Sequence, residues 1–311
     1  SMTEAIGAVR EAFLQLSNGR AIVPLRTPMD LPDRDGGALF MPVHLPDSGQ
    51  IGLKAVSVFA ENPQKGLPVI HALFLVMDGQ DGRPLAVMDG EYLTALRTGA
   101  ASGLATDLLA RRDARAAAVI GTGVQGRTQL EAVCSVRSIE RAYAIDLDRD
   151  KAEAFAREMS VRLAIPVTPT EAEQALPGCD VLCTATPATH PVFSDPLLKP
   201  GVHINAVGSY KPEMCEIPRE TVVRARVIVD SRAACMAEAG DLLQPIEAGL
   251  IDESHIHGEI GEVVSGASEG RASEKQVTLF KSVGNAVQDL AAASRALVRA
   301  EQLGLGVEIS L

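Results

Sequence analysis

The stretch that decides the fold is AAAVIGTGVQG, residues 116–126. An apolar run typical of a buried strand leads directly into a Gly-x-Gly-x-x-Gly motif. In such a motif Gly121 permits the tight turn, Gly123 lets the backbone approach a diphosphate, and Gly126 lets the following helix pack closely. Free N–H groups at the start of that helix favour negative charge, so the stretch predicts a dinucleotide-binding site.

An acidic residue stands where such a site needs one. Asp146 ends the next predicted strand, twenty residues after Gly126. A carboxylate there can accept both ribose hydroxyls and repels a 2′-phosphate, which favours NAD(H) over NADP(H). Arg149 lies close enough in sequence to leave NADP(H) open as a second cofactor. An ordinary glycine turn and a surface Asp are the alternative, but strand, glycines, helix, second strand and acid all occur in the expected order.

Strands and helices alternate from this motif towards the C-terminus. Short apolar strands are predicted at residues 116–121, 141–146, 180–184, 203–207 and 226–230, with helices at 125–136 and 149–163. This alternation is typical of an α/β protein with a doubly wound parallel sheet. Ligands bind such sheets at the carboxyl ends of the strands, where we expect Thr184, Thr186, Val207 and Gly208 to border the cofactor. For each of these four residues, a plain loop position is the alternative.

The two ends of the chain have other patterns. A helix is predicted at residues 4–17, strands at 50–60, 71–77 and 84–88, and a glycine- and alanine-rich helix at about 91–112. The Asp-Gly pairs at 78–79 and 81–82 indicate a turn between two of these strands. The last part is predicted to be helical, with an amphipathic pattern over residues 274–303 that is interrupted at 282–284.

Composition excludes several classes of protein. The 311 residues are 46% hydrophobic, and 29 basic against 40 acidic side chains give a formal net charge of −11. A sizeable core is expected, whereas nucleic acids and anionic membrane surfaces are unsuited as partners. No apolar run is long enough for a membrane span, the N-terminus has no signal-peptide pattern, and the five cysteines form no paired motif. We therefore expect a protein of the reducing cytoplasm.

One group of metal-binding residue types occurs near the C-terminus. His255, His257 and Glu259 alternate as the residues of a strand do, but no fourth ligand is evident. Because a closed metal site needs a complete ligand set, a structural role is expected and no metal is predicted.

Two basic residues lie in apolar surroundings. Lys54 is flanked by Leu53 and Ala55 in a predicted strand, and Arg97 shares a helical face with leucines and alanines. Buried cations are costly without an anionic partner. That partner is either a carboxylate of the protein or a substrate carboxylate held by Lys54, Arg97 and Arg26, with Arg97 binding it through two N–H groups. The pattern alone does not decide between the two.

Several longer segments resemble a known family. They are Gly52-Leu53-Lys54 and the segments at residues 62–68, 93–98, 121–125, 238–241, 257–260 and 280–284. These segments resemble the ornithine cyclodeaminase/mu-crystallin family, and because they are spread along the chain, the resemblance extends over essentially its whole length. The combination is far more specific than the glycine motif by itself.

The resemblance implies a Rossmann domain at residues 113–287. It also implies a discontinuous α+β substrate-binding and dimerisation domain, formed by residues 1–112 together with 288–311, through which two chains would form a homodimer. In proteins of this kind Arg26, Lys54 and Arg97 would hold the substrate carboxylate. The residues that would contact the nucleotide or line the nicotinamide site are Val124, Gln125, Asp146, Ser282 and Val283.

The chain departs from the family's cyclodeaminases at their catalytic acid. Tyr210 stands where the acidic residue is expected, and Met214 replaces a lysine. A tyrosine is a poor base near neutral pH, because its ordinary pKa is about 10. Glu213 could act as a substitute, although the resemblance to the family does not require it. The segment resembles more closely the Gly-Ser-x-x-Pro pattern of the family's ketimine reductases.

We therefore predict NAD(P)H-dependent reduction of a small cyclic imino acid, Δ1-pyrroline-2-carboxylate or Δ1-piperideine-2-carboxylate, to the L-amino acid. Lys54 and Arg97 are the predicted catalytic residues, with Lys54 or an ordered water as the proton donor. Ornithine cyclodeaminase is the first alternative, because it forms proline and ammonia and recycles NAD. The others are an alanine or opine-type amino acid dehydrogenase and a non-catalytic, NADP-dependent ligand-binding protein of mu-crystallin type.

Overall fold

The computed structural model describes residues 1–309. Its strands are β1 (Thr27–Leu31), β2 (Gly36–Leu45), β3 (Gln50–Phe59), β4 (Ile70–Asp78), β5 (Pro84–Asp89), β6 (Ala116–Ile120), β7 (Arg141–Ile145), β8 (Val167–Pro169), β9 (Val181–Thr184), β10 (His203–Ala206), β11 (Arg226–Val229), β12 (Ile256–Glu259) and β13 (Thr278–Lys281). Its helices are α1 (Met2–Ser17), α2 (Gly90–Leu109), α3 (Val124–Val136), α4 (Arg149–Leu163), α5 (Ala172–Ala175), α6 (Arg219–Arg224), α7 (Arg232–Glu238), α8 (Gly240–Glu247), α9 (Ile260–Ser265) and α10 (Ala286–Leu303).

The chain divides into two compact units. The larger unit comprises Ser1–Ile6 and Thr98–Asn285, and the smaller unit comprises Gly7–Arg97 and the residues from Ala286 onward. The predicted domain ranges differ from these units mainly at residues 98–112, which belong to the larger unit. The predicted ranges also assign a function to each domain, and that assignment stays a prediction. Within residues 1–309, no helix combines the length and apolar character that a membrane crossing requires.

The larger unit is built on an eight-stranded sheet. The strand order is β12-β11-β13-β10-β9-β6-β7-β8, and every pair is parallel. The central strands are buried along their whole length, as the run AAAVI of β6 shows, because helices cover both faces of such a sheet. Residues of the two faces form separate apolar clusters, one with Leu182 and Ile204 and the other with Val119 and Leu130. The predicted doubly wound parallel sheet is confirmed.

The helical prediction for residues 274–303 is wrong in its first part. Thr278–Lys281 form β13, which pairs with β10 on one side and β11 on the other. All four residues are buried, and such a short buried run shows no periodicity that distinguishes a central strand from part of a buried helix. The interruption at residues 282–284 marks the turn between β13 and α10 rather than a break within one helix.

The smaller unit contains a five-stranded antiparallel sheet in the order β1-β2-β3-β4-β5. Lys54 pairs with Met41 of β2 and Phe74 of β4, and all three side chains are buried on the inner face. That face packs on α10, where a side chain on Gly52 would come within 3.1 Å of Leu290 Cδ1. The opposite, outer face carries apolar residues that remain exposed, among them Leu73 and Val87.

Candidate active site

The turn between β6 and α3 shows which of the motif's glycines the fold itself requires. Gly121 has a φ of +97°, and a Cβ there would lie 2.5 Å from Ala185 O. A Cβ on Gly126 would lie 2.2 Å from Gly121 O. Gly123, by contrast, has an ordinary φ of −75° and no atom within 4 Å of its missing Cβ. No neighbouring atom of the chain therefore requires a glycine at this position. The open space at the start of α3 is compatible with a bound diphosphate.

The two residues that open α3 line the same place. Val124 is the first residue of the helix and has an exposed side chain, whereas Gln125 is half-buried. The first N–H groups of a helix have no partner within it, which makes this end a site for an anion. Both residues were predicted to contact the nucleotide, and their position at the helix start is compatible with that role.

Asp146 follows β7 and is held by the neighbouring turn. Its Oδ2 accepts hydrogen bonds from Thr122 N at 2.8 Å and Thr122 Oγ1 at 2.6 Å, and its Oδ1 accepts from Asp148 N at 3.1 Å. Partial burial opposes ionisation, but the hydrogen bonds from Thr122 outweigh it and place the pKa of Asp146 below its ordinary value. Arg149 is exposed and pairs with Glu153.

Glu216 connects the loops after β9 and β10, and sequence reasoning missed it. Its carboxylate accepts hydrogen bonds from Thr184 Oγ1 at 3.0 Å, Thr186 N at 2.7 Å, Thr186 Oγ1 at 2.9 Å and Gly208 N at 2.7 Å. A Cβ on Gly208 would lie 2.3 Å from Thr186 O. Three of the four predicted strand-end residues are thereby brought together, and the fourth, Val207, donates its N–H to Thr184 O at 3.0 Å.

A buried ion pair between Lys281 and Asp241 holds the backbone of Glu216 in place. Lys281 Nζ lies 2.8 Å from Asp241 Oδ2, and Asp241 Oδ1 accepts from Glu216 N at 2.7 Å and Ile217 N at 3.0 Å. Burial and the nearby Asp241 raise the pKa of Glu216, while Lys281 acts against that shift. An acid between Cys215 and Ile217 is the sequence signal that could have indicated a buried carboxylate.

Asp230 organises the end of β13 in a similar way. Its Oδ2 accepts from Ser282 Oγ at 2.6 Å, Val283 N at 3.1 Å and Gly284 N at 2.9 Å. Asp230 directly follows β11, so its carboxylate joins the ends of two adjacent strands. Ser282 and Val283, predicted for the nicotinamide site, are therefore held at the carboxyl end of the sheet, where nucleotides bind such folds.

The buried cations of the smaller unit share one carboxylate, Asp289 of α10. Arg97 Nε donates to Asp289 Oδ1 at 2.9 Å, and Lys54 Nζ lies 2.9 Å from Asp289 Oδ2. Arg97 Nη1 also donates to Gln288 Oε1. Lys54 is 3% exposed, Arg97 6%, and Asp289 fully buried. Sequence reasoning missed both Gln288 and Asp289.

The charges of this cluster do not cancel. Lys54 and Arg97 carry two positive charges against the single negative charge of Asp289, and Arg26 adds its positive charge to the surroundings of Lys54. Burial lowers the pKa of Lys54 to about 8; Asp289 opposes this shift, whereas Arg97 and Arg26 add to it. An internal ion pair therefore accounts for only one of the two cations, and the cluster retains a positive charge suited to an anionic ligand.

The segment with the altered family pattern belongs to the larger unit. Tyr210 is 37% exposed, Glu213 is exposed, and Met214 is buried. The backbone around Met214 is tightly packed, because Ser209 Oγ donates to Met214 O at 2.9 Å and a Cβ on Gly240 would lie 2.0 Å from that oxygen. A lysine in place of Met214 would bring a charge into this buried position.

The histidines near β12 have structural contacts. His257 Nδ1 accepts from Val227 N at 3.3 Å, and His255 Nε2 lies 2.8 Å from Val222 O. Over the described part of the chain, no three His, Cys, Asp or Glu side chains are grouped so as to hold a metal ion. Glu259 accepts from Arg232 N at 2.8 Å.

Comparisons with known proteins cover nearly the whole chain. A sequence model of the ornithine cyclodeaminase/mu-crystallin family matches residues 1–302. The Δ1-pyrroline-2-carboxylate reductase of Bacillus cereus is 40% identical over 311 residues, 99% of this chain and 95% of that protein. The structure of Thermococcus litoralis Δ1-pyrroline-2-carboxylate reductase in complex with NADH and L-proline has a TM-score of 0.95 at 44% identity and covers 99% of this chain and 96% of that one. An archaeal alanine dehydrogenase dimer with bound NAD has a TM-score of 0.94 at 37% identity and covers 100% and 95%.

Proposed function

The chain belongs to the ornithine cyclodeaminase/mu-crystallin family, and from this premise we propose that it is an NADH-dependent reductase that converts Δ1-pyrroline-2-carboxylate to L-proline. The six-membered Δ1-piperideine-2-carboxylate is a second substrate of the same chemical class. One observation carries the proposal: two buried cations, Lys54 and Arg97, share a single protein carboxylate. The names of the relatives at 40% and 44% identity support the choice of substrate.

The substrate carboxylate would supply the negative charge that the cluster lacks. Arg97 offers a planar fork of N–H groups that matches a carboxylate, and Lys54 offers a compact ammonium group. A carboxylate bound there fixes the adjacent imine, because the C=N bond of this substrate begins at the carbon that bears the carboxylate. Arg26 is the third predicted ligand and adds positive charge to the same surroundings.

The reaction is a two-electron reduction of the imine. Bound NADH supplies a hydride to the imine carbon, and the nitrogen takes up a proton, so that imine, NADH and H⁺ give the amine and NAD⁺. Lys54 is the proposed proton donor. Its pKa of about 8 leaves it largely protonated at neutral pH and makes it a stronger acid than an ordinary lysine.

The larger unit would hold the cofactor. Gly123 would leave the space for the diphosphate, in a turn whose close packing requires Gly121 and Gly126, and the ionised Asp146 would accept the ribose hydroxyls. Because Asp146 is negative and Arg149 is already paired with Glu153, we propose a preference for NADH over NADPH. The loops joined by Glu216 and Asp230 would border the nicotinamide.

Two other activities would use the same carboxylate site. Alanine dehydrogenase is the second candidate, since a structure so named, with bound NAD, is 37% identical to this chain over its whole length. Ornithine cyclodeaminase is disfavoured because Tyr210 stands in the position of the acid that would act as base.

We also propose a homodimer and a cytoplasmic location. The outer face of the five-stranded sheet exposes apolar side chains, including Leu73, Leu85 and Val87, which a second copy of the chain would cover. The archaeal alanine dehydrogenase is described as a dimer. All five cysteines are free thiols, as expected in a reducing compartment.

The test is a set of parallel reactions with the purified protein. Oxidation of NADH and NADPH is followed with freshly prepared Δ1-pyrroline-2-carboxylate, and separately with pyruvate plus ammonium; L-ornithine with NAD⁺ is assayed for ammonia. We expect NADH oxidation with the cyclic imine, a weaker rate with NADPH and no ammonia from ornithine. Lys54→Ala and Arg97→Ala should lose activity, whereas Lys275→Ala, at an exposed lysine, should retain it. Full activity in the first two variants would contradict the site assignment.

A further inference from the structure

We infer that Asp289 is the positioning residue of the carboxylate site: by holding Lys54 and Arg97 on its two oxygens, it orients both cations for the substrate and keeps the lysine charged. The inference rests on the proposed function for the identity of the substrate. It adds a residue that does not itself contact the substrate.

The geometry of the contact is specific. Lys54 comes from β3, Arg97 from α2 and Asp289 from α10, so residues of three separate elements, all within the smaller unit, meet at one carboxylate. Each cation uses a different oxygen, at 2.9 Å in both cases. Asp289 is fully buried, and each of its oxygens lies within ion-pair distance of one of the two cations. A carboxylate held in this way fixes two long, flexible side chains at once.

The arrangement also determines which edge of Arg97 remains for a ligand. A guanidinium has five N–H groups, and a carboxylate can bind either the edge with Nε or the edge formed by both terminal nitrogens. Asp289 uses Nε, and Gln288 Oε1 uses one hydrogen of Nη1. Both hydrogens of Nη2, at the edge that it shares with Nη1, remain for a ligand. The substrate carboxylate would bind Arg97 end-on through that edge.

The charge of Lys54 depends on the same contact. Burial lowers its pKa, and the positive charges of Arg97 and Arg26 lower it further. Asp289 is the group that acts in the opposite direction, through its charge and its hydrogen bond. Without the carboxylate of Asp289, the ammonium of Lys54 would remain buried under the influence of the positive charges of Arg97 and Arg26 and would lose its proton at a lower pH.

Gln288 provides an independent sign that the cluster is completed by a ligand. It is fully buried, its Oε1 accepts from Arg97, and its Nε2 has no hydrogen-bond partner within residues 1–309. A buried N–H donor without a partner costs free energy. Because Nε2 belongs to the same amide as the oxygen that contacts Arg97, it lies beside the cation that would bind the substrate carboxylate.

The experiment compares the pH dependence of wild-type protein and Asp289→Asn. With NADH saturating, kcat/KM for Δ1-pyrroline-2-carboxylate is measured from pH 6 to pH 9.5. In the wild type, kcat/KM should fall above about pH 8, as Lys54 loses its proton. In Asp289→Asn the fall should move to lower pH by about one unit or more, because an attractive charge next to Lys54 has been removed. Titration of the imine itself is common to both proteins and cancels in the comparison.

Glu301→Gln is the matched control. It removes one negative charge from the exposed part of the same helix and should leave the pH profile unchanged. Asp289→Glu keeps the charge but moves it by one methylene; its pH profile should match the wild type, while KM for the imine should rise at least several-fold. This second variant remains informative if Asp289→Asn does not fold.

The outcomes separate the inference from the function. If the wild type does not oxidise NADH with the cyclic imine, the proposed function fails. If the wild type is active and Asp289→Asn is less active with an unshifted pH profile, the role of Asp289 is merely structural and the inference is overturned. An unchanged KM in Asp289→Glu would also overturn it.

Discussion

The unequal number of buried charges in the smaller unit is the feature on which the functional account depends. Lys54 and Arg97 are buried with one carboxylate between them. Removing a partner from such a cluster is costly, and leaving a cation uncompensated is costly as well. An anionic substrate would compensate the second positive charge. The arrangement that is costly in the free protein therefore favours substrate binding.

At this scale the first prediction concerns the fork of N–H groups on Arg97. Arg97→Lys keeps the positive charge but cannot bind a carboxylate through two nitrogens while also contacting Asp289. Loss of a hydrogen bond to a charged group costs about 1.5–3 kcal/mol, so KM for the imino acid should rise about 10- to 150-fold. Steady-state kinetics at fixed, saturating NADH would measure it. Arg299→Lys, at an exposed position of α10, should leave KM as it is; an equally unchanged KM in Arg97→Lys would show that Arg97 does not bind the carboxylate.

Sequence could identify the cations but not what holds them. A lysine within an apolar strand is unusual enough to be noticed by itself. Asp289 has no such signal, because an acidic residue in an amphipathic helix is expected on the solvent side. The contact between Arg97 and Asp289 spans 192 positions of the chain, and only the folded structure brings the two together.

At the level of elements, the turn between β6 and α3 contains glycines that the fold requires and one glycine that it does not. Gly121 and Gly126 have no room for a Cβ, whereas Gly123 has room and an ordinary backbone conformation. The motif therefore contains two glycines that the chain needs in order to fold and one, Gly123, that the fold does not require and that we propose leaves room for a diphosphate.

This difference gives the second prediction. Gly123→Ala should leave the melting temperature nearly unchanged but raise the Kd for NADH at least tenfold, because the new methyl group occupies the space of the diphosphate. Gly126→Ala makes the same chemical change and should lower the melting temperature, since its Cβ would lie 2.2 Å from Gly121 O. Thermal unfolding without cofactor and fluorescence titration with NADH measure the two effects. Equal Kd values for Gly123→Ala and wild type would argue against diphosphate binding at this turn.

Elements with strong local patterns were predicted well, and those defined by their neighbours were not. The helix of residues 149–163 is predicted with its observed bounds, and the structure shows Asp148 capping it by accepting hydrogen bonds from Asp150 N and Lys151 N. Thr278–Lys281 were predicted as part of a helix, although they form a central strand. Four buried residues carry too little periodicity to distinguish the two, and only the pairing with β10 and β11 fixes their conformation.

For the molecule as a whole, the proposed homodimer would use the outer face of the smaller unit's sheet. Leu75 and Val87 are opposite each other on β4 and β5, and Val87 is 62% exposed. A continuous apolar sheet face of this kind is unusual for a monomer. The predicted domain ranges, 1–112 with 288–311 and 113–287, assign this face to the dimerisation domain and remain part of the same proposal.

The third prediction tests that interface. Val87→Lys places a charge within the proposed contact and should convert the dimer to monomer at micromolar concentration, as measured by sedimentation velocity. Val161→Lys introduces the same residue at a position of α4 that is 86% exposed, and it should not change the assembly. A dimer that persists in Val87→Lys would place the interface elsewhere.

The central claim is hydride transfer to the carbon of a cyclic imine, and isotope transfer tests it most directly. NADH carrying deuterium at both C4 positions is incubated with Δ1-pyrroline-2-carboxylate, and the proline formed is analysed by mass spectrometry and chiral chromatography. We predict L-proline with one deuterium at C2 for each NADH oxidised. Failure to form proline from the imine, together with unlabelled proline and ammonia from L-ornithine without net oxidation of NADH, would contradict the account and identify a cyclodeaminase.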